Sequence, residues 1–499
     1  MLHASTVPSA LPIPKTAPVP TLVRTRVEPL GPLVVDLDGT LVSTDLLHES
    51  VFALIRRSPL YLLCLPAWLL RGKARLKSEI ARRVELNIPR LPYNEPFLAH
   101  LRAEKARGRS LVLATASNQK FAHQIADHVG LFDAVIASDE ENNLYGHHKL
   151  AALRERFSDT GFDYAGNGAV DKPIWRAARQ ATLVSSSPRL ARAVEQEATV
   201  GRAFPQTKAT LLTYARALRL HQWLKNLLVF VPLVAALQFT NPVALIHLAI
   251  AFFAFGLCAS SVYILNDLID LEDDRQHPRK RYRPFAAGEL TIARGCMLIP
   301  VLLAGAIVLS LWLPLEFLGV LGIYYATTLA YSLRIKQVEV LDIFALALLY
   351  TVRIVGGGAA TGIPLTFWLL AFSLFIFLSL AVAKRCAELA VMRDMGEKRS
   401  RGRGYRVEDL PLLYSVGVGA GYVATLILSL YLTSDAVARA YSYPWMLWVF
   451  CPMLLYWITR VWLTTYRGEM HDDPVVFAVR DNSSQFLAIV GGLCIWLAI

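Results

Sequence analysis

Two kinds of apolar spacing divide the chain. Up to about residue 220 the apolar runs are short, whereas from about 223 they lengthen into blocks of near-membrane length separated by brief polar connections. In the first part, "PLVVDLD" (32–38), "SLVLATAS" (110–117), "DAVIAS" (133–138), "DYAGN" (163–167) and "ATLVSS" (181–186) have the length and bounds of buried parallel strands. The segments between them carry helical spacing, which predicts a doubly wound α/β domain over 31–200. A helical cap insertion is expected at about 46–100. Within it, "PLYLLCLPAWLL" (59–70) is apolar but too short to cross a bilayer. It either packs within the insertion or docks on a membrane surface. Residues 1–30 are Pro-rich without the apolar core of a signal peptide, and read as a disordered leader. Residues 201–215 read as a linker.

The remainder, 216–499, predicts an all-α membrane domain. Nine segments fit transmembrane helices, at about 223–239, 243–265, 291–312, 315–332, 339–360, 364–383, 411–432, 443–464 and 484–499. The polar loops near 266–290, 333–338, 384–410 and 460–482 together hold 18 Lys and Arg, against Arg439 alone in the loops between. By the positive-inside rule, those four loops and the α/β domain face the cytoplasm from the plasma (inner) membrane.

Composition sharpens this picture at two points. A net charge of +12 could mean nucleic acid, but the basic residues of the second half lie between apolar blocks. That placement favours a bilayer surface or phosphate-bearing substrates, and no nucleic-acid partner is expected. The six cysteines are scattered with no CxxC pair, which fits buried thiols rather than a metal or redox site. No feature of the sequence specifies an oligomeric state.

Asp36 and Asp38 stand one residue apart at the end of a predicted parallel strand, the usual ligand end of such sheets. One carboxylate can attack phosphorus while the other moves a proton, with a metal neutralising the phosphate. "DLDGT", "LVLATAS" with Thr115, "GHHKL" with Lys149 and "AGNGAVD" follow in order. Over about 31–190 this series resembles the haloacid dehalogenase-like phosphohydrolases. The resemblance implies Asp36 as nucleophile, Asp38 as general acid/base, and Thr115 and Lys149 on the phosphoryl group. It also implies Mg²⁺ held by Asp36, the Asp38 carbonyl and the fourth motif, which here offers Asn167 and Asp171. Asn167 stands where the family usually has Asp, which puts the strength of metal binding in question. His147 and His148 beside Lys149 are either metal ligands or exposed loop residues.

"NDLIDLEDDRQHPRKRYRP" (266–284) begins as an apolar block ends. Asn266, Asp267, Asp270 and Asp274 fall at i, i+1, i+4 and i+8, one side of a helix. Crowded carboxylates need cations between them, and Mg²⁺ shared with substrate phosphates supplies this. His277, Arg279, Lys280, Arg281 and Arg283 can hold phosphate oxygens. The NDxxDxxxD pattern and the span count resemble the UbiA superfamily of intramembrane prenyltransferases. "RLHQWLKNLLVFVPL" (219–233), "YSLRIK" (331–336), "KRCAEL" (384–389) and "DDPVVFAVRD" (472–481) bring the match nearer to decaprenyl-phosphate phosphoribosyltransferases. That resemblance implies 5-phosphoribosyl 1-diphosphate as donor and a polyprenyl phosphate as acceptor. Lys225, Asn226, Lys280, Arg283, Lys336, Lys384 and Arg385 are then the expected phosphate binders, with His277 and Glu388 lining the substrate. Only Glu388 and Asp394 stand where typical family members carry a second Asp-rich motif. A prenyl diphosphate donor with an aromatic acceptor, beside an unrelated or inactive phosphatase, is the alternative. Asp342 and Arg353 in the fifth block suit either a structural role or site lining.

Overall fold

The computed structural model describes residues 31–185, 187–205, 209–396, 404–470 and 474–499. The predicted leader, residues 206–208 of the predicted linker, the basic stretch 397–403 and residues 471–473 lie outside the described residues.

Six parallel strands form one sheet in the order β3-β2-β1-β4-β5-β6. They are β1 (Leu33–Val35), β2 (Leu111–Asn118), β3 (Ala134–Ser138), β4 (Asp163–Gly166), β5 (Ala181–Leu183) and β6 (Val200–Ala203). Alternate residues leave opposite faces of a strand, and each face here is covered by helices. Leu33, Val35, Leu111 and Leu113 pack with Phe97, Leu101, Phe121 and Ile125. Val34, Val112 and Ala114 pack with Leu150, Leu153 and Trp175 on the other side. Both faces being buried, the strands read as continuous apolar runs. The last strand was not expected: β6 is exposed through its Gly201, Arg202 and Ala203, so no apolar run marks it. Winding reverses between β1 and β4, which opens a crevice at the strand C-termini.

The insertion after β1 contains α1 (Leu46–Arg57), α2 (Leu65–Leu70) and α3 (Lys73–Ala81). Asp45 caps α1, accepting from His48 N at 3.1 Å.

Beyond residue 216 the chain is helical. Six described helices are long and apolar enough to cross a membrane: Pro242–Ile269, Ile292–Ser310, Leu341–Thr361, Phe367–Asp394, Val407–Leu432 and Pro444–Tyr466. The 223–239 block differs from expectation. It is a 3-10 stretch, Leu220–Phe230, followed by the short helix Val231–Ala235. Lys225 and Asn226 are buried there, and their polar groups break the apolar face that a regular span needs. Leu315–Leu333 and Asn482–Ala498 supply helices for the two remaining blocks. Gly357 lets the Leu341–Thr361 helix approach that stretch closely, since a Cβ there would lie 2.0 Å from the Val229 carbonyl oxygen.

The two halves are docked. Phe52 of α1 is buried in one apolar cluster with Ile264, Leu268 and Leu302 from the membrane helices. Beside it Arg275 grips Glu49 through both guanidinium nitrogens, at 3.1 and 2.5 Å.

Candidate active sites

At the sheet crevice, Asp36 follows β1 and keeps the ladder through its N–H, which donates to the Ala165 carbonyl at 2.9 Å. Its carboxylate meets Lys149 Nζ at 2.6 Å. Lys149 also donates to the Tyr164 hydroxyl at 3.2 Å, and that hydroxyl donates to Asp171 Oδ1 at 2.9 Å. Asp171 Oδ2 accepts from the Asn167 and Gly168 N–H groups at 3.1 and 3.0 Å, which shapes the fourth-motif loop. Asp38 sits on the other flank. It accepts from Ser117 Oγ at 2.6 Å, Thr115 Oγ1 at 3.3 Å and Leu46 N at 2.8 Å. The expected residues Asp36, Asp38, Thr115, Lys149, Asn167 and Asp171 therefore meet in one crevice. His147 and His148 are exposed in the first turn of the His147–Arg156 helix.

Burial pushes the Asp36 carboxyl up to about 7, with Lys149 opposing and Asp171 and Asp38 reinforcing. Asp38 is also raised, by burial and then by the charge of Asp45. Burial works against the Lys149 charge, but Asp36 and Asp171 outweigh it and hold the ammonium above its ordinary range. Buried carboxylates of this kind are poised for a cation. Gly39 adopts φ +73°, and a Cβ there would meet Asn167 Nδ2 at 1.9 Å, so the amide of Asn167 lies directly on the loop after Asp38. The Asp36 carboxylate, the Asn167 amide and the backbone at Asp38 carry oxygens of the hard type that Mg²⁺ takes, so the residues of the crevice are chemically compatible with that ion.

In the membrane half, the Pro242–Ile269 helix ends at Asp270, whose φ of −94° and ψ of 14° break it before Leu271–Gln276 begins. The Asp-rich residues consequently form two pairs rather than one row. Lys336 Nζ reaches Asn266 Oδ1 at 3.2 Å and both Asp270 oxygens at 3.0 and 2.8 Å. Arg283 reaches Asp267 at 3.1 Å and Asp274 at 2.6 Å, and Arg219 also bonds Asp267. Burial lifts the Asp274 carboxyl to about 6, with Arg283 opposing. Among the described residues no three acidic, His or Cys side chains converge as a preformed metal site. Each pair nevertheless turns its oxygens to basic side chains, Lys336 at one and Arg283 with Arg219 at the other. Oxygen donors of this type, open to exchange with side-chain cations, fit Mg²⁺ shared with a phosphate.

The other expected binders are distributed around these pairs. Lys225 lies 5.5 Å from the centre of the Tyr350 ring. Asn226 accepts from Arg353 Nε at 3.0 Å, and Arg353 also donates to the Tyr324 hydroxyl at 2.8 Å. Arg385 is buried against Asp342 at 2.8 Å and bonds Glu388. Asp342 therefore pairs with Arg385 and not with Arg353. Lys384 is half-buried beside it. His277 and Lys280 lie on the exposed loop, where His277 Nδ1 accepts from Lys280 N at 3.3 Å.

Sequence reasoning missed Ser117, Tyr164, Lys77 and Arg219. Lys77 of α3 donates to the Ala116 carbonyl at 2.5 Å and brings the insertion over the crevice. Tyr164 has a local signal, since it shares a strand face with Gly166, whose missing side chain makes room for Tyr164 and Asp171. For Arg219 the signal was its place in the "RLHQWLKN" motif.

Two family models match the chain. Residues 227–490 match the UbiA prenyltransferase family, and residues 33–176 match the haloacid dehalogenase-like hydrolase family. The protein "Uncharacterized protein y4nM" of Sinorhizobium fredii is 38% identical over 91% of this chain and 89% of its own length. Nodulation protein NoeC of Azorhizobium caulinodans is 36% identical, over 58% of this chain and 94% of its own. Decaprenyl-phosphate phosphoribosyltransferase of Mycobacterium tuberculosis is 32% identical, over 57% of this chain and 91% of its own. With its apolar helices and its two carboxylate centres, the chain is a multi-pass membrane enzyme that belongs to the UbiA prenyltransferase family and carries a haloacid dehalogenase-like hydrolase domain at its N-terminal end.

Proposed function

We propose that the membrane domain transfers 5-phosphoribosyl from 5-phosphoribosyl 1-diphosphate to a polyprenyl phosphate, and that the hydrolase domain then removes the 5-phosphate. The observation that carries this reading is the pairing of each Asp-rich couple with a basic side chain, Lys336 or Arg283, so that carboxylates and phosphate-binding cations stand together. The likeness to the mycobacterial decaprenyl-phosphate phosphoribosyltransferase supports the choice of donor and acceptor. Glu388, the residue standing in for a second Asp-rich motif, is engaged by Arg385, which favours a donor bearing an extra phosphate over a plain prenyl diphosphate.

In this reading Asn266, Asp267, Asp270 and Asp274 hold Mg²⁺, which supplies charge neutralisation for the leaving diphosphate. Lys336 and Arg283 turn from the carboxylates to the phosphate oxygens as the donor binds, and Lys280 reaches them from the exposed loop. Lys225, Asn226, Lys384, Arg385, His277 and Glu388 line the donor and the lipid phosphate. The anomeric C–O bond to diphosphate breaks with oxocarbenium character at carbon, and a lipid phosphate oxygen forms the new bond. Electrostatic stabilisation of the departing diphosphate contributes much of the rate.

At the second site, Asn167, Asp36 and the Asp38 carbonyl hold Mg²⁺, which screens the phosphoryl charge. Asp36 attacks phosphorus, Thr115 and Lys149 bind the phosphoryl oxygens, and Asp38 gives its proton to the departing ribose oxygen. Asp38 then takes a proton from water, whose attack on the aspartyl-phosphate frees phosphate and restores Asp36. An orientation with the basic loops inside would place both centres at the cytoplasmic face of the plasma membrane. Joining both centres in one chain raises the local concentration of the intermediate. The hydrolase domain extends past the expected boundary at 200 to the end of β6 at Ala203, and a helix over Leu211–Ala217 occupies part of the expected 201–215 linker before the membrane domain at 216–499.

Asp270→Asn removes the carboxylate charge of the Asn266–Asp270 pair that Lys336 bridges. It is expected to abolish divalent-cation-dependent sugar transfer while hydrolysis of a soluble phosphate ester continues. Transfer at the wild-type rate would remove the Asp-rich pairs from the mechanism.

A further inference from the structure

The insertion carries an apolar surface that neither active site uses. Between Pro59 and Leu70 there is no charged residue. The inward side chains Tyr61, Leu65 and Trp68 pack on Leu54, Ile80 and Val84. Arg83 lies 4.8 Å over the Trp68 ring and closes that face. Leu60, Leu63 and Leu70 point the other way and are 73%, 79% and 89% exposed. They recur at intervals of three and seven residues with exposed Ala67 between them, so one whole side of the segment is apolar and uncovered. Isolated exposed leucines are ordinary, but a continuous apolar face on a polar domain marks a contact surface.

Three observations identify what covers it. The segment begins four residues after Ile55, which packs against the same apolar cluster as Leu298 and Ile299 of the Ile292–Ser310 membrane helix. Phe52, one turn earlier, shares that cluster with Leu302, so α1 runs along the flank of a membrane helix and delivers the segment beside it. The chain from residue 50 to 78 contains Arg56, Arg57, Arg71, Lys73, Arg75 and Lys77 and no acidic residue. Of these, Arg71 and Lys73 have no carboxylate partner among the described residues and Arg57 donates to a backbone oxygen, that of Arg83, at 2.7 Å; the three bracket the apolar face. An apolar side flanked by cations that no carboxylate neutralises is the pattern of a helix lying in the surface of an anionic bilayer.

We propose that Pro59–Leu70 is an interfacial anchor that lies in the headgroup region of anionic lipid and seats the hydrolase domain on the membrane. Gly72, at φ +109°, turns the chain from this anchor into α3, whose Lys77 reaches the crevice beside Asp38. The anchor thereby holds the edge of the hydrolase site at the bilayer. The inference is independent of which group the transferase moves.

The test uses the full-length chain, its native cysteines replaced, in vesicles of phosphatidylcholine and phosphatidylglycerol. Environment-sensitive fluorophores are placed on Leu63→Cys and Leu70→Cys, with Met297→Cys as a membrane reference and Glu155→Cys as a solvent reference. Blue-shifted emission at 63 and 70, quenched by nitroxide-bearing lipids as at 297, is the expected result. Replacing phosphatidylglycerol by phosphatidylcholine should reduce that quenching at 63 and 70 but not at 297. Solvent-like emission at both positions would overturn the proposal. So would a blue shift without nitroxide quenching, because a second protein copy would then cover the face.

Discussion

Glu49→Leu tests whether the two catalytic halves form one docked unit. Glu49 and Arg275 are nearly buried, with side chains 6% and 8% exposed. The carboxylate has a second donor in the Thr44 hydroxyl at 2.7 Å, while Arg275 Nε donates to the Ala286 carbonyl at 3.2 Å. Removing the carboxylate strands the guanidinium between the domains, and breaking a buried pair this way costs about 3–5 kcal/mol. Glu49 is the cleaner site to alter, because an Arg275 variant also loses the Ala286 contact. If α1 amides exchange through undocking, hydrogen exchange over Leu46–Arg57 should accelerate by about two to three and a half orders of magnitude, at a factor of ten per 1.4 kcal/mol. Combining Glu49→Leu with Arg275→Met removes both charges and should restore most of the protection, since a buried pair replaced by apolar groups is often neutral. Acceleration below about fivefold in the single variant, or simple addition of the two single effects in the double, would refute the docked pair.

Two further outcomes follow from the hydrolase crevice. Because burial raises Asp36 from its unfolded value of 3.8 to about 7, its contribution favours the folded state at low pH and is lost as pH rises through about 7. In chelator, the melting temperature of Asp36→Asn should therefore gain on wild type as pH rises from 5 to 8, and a gap independent of pH would contradict this. Gly39→Ala must place a methyl group against Asn167 while holding φ at +73°, so phosphate-ester hydrolysis should fall at least a hundredfold while sugar transfer persists. Wild-type hydrolysis by that variant would show that the loop after Asp38 is not part of the site.

The sequence showed the first five strands because they are buried or, in β3, half-buried, and so read as short, mostly apolar runs. It did not show β6, an exposed edge whose register is set by backbone pairing with Ala181, Thr182 and Leu183. The four hydrolase motifs were legible as short ordered strings: Asp36, Asp38 and Asn167 closely follow strands, Thr115 lies within β2, and Lys149 stands in the first turn of the His147–Arg156 helix. Tyr164, the link from Lys149 to Asp171, was hidden inside a strand. The helical register of Asn266 to Asp274 was readable, but the break at Asp270 was not, because no Gly or Pro marks it. Long-range pairs left the least trace. Nothing local to Glu49 points to Arg275, and nothing local to Arg385 points to Asp342, since each pair is created by packing between elements far apart in sequence.

The most direct measurement of the central claim follows the lipid product by mass. Purified full-length chain in lipid nanodiscs receives polyprenyl phosphate, Mg²⁺ and ribose-labelled 5-phosphoribosyl 1-diphosphate. Wild type is predicted to end with label on a polyprenyl-phosphoryl ribose lacking the 5-phosphate, and Asp36→Asn with the same lipid heavier by one phosphoryl group. No label in lipid would contradict the transferase assignment. Labelled lipid with one identical mass in both proteins would leave the transfer standing and contradict the coupled two-step account.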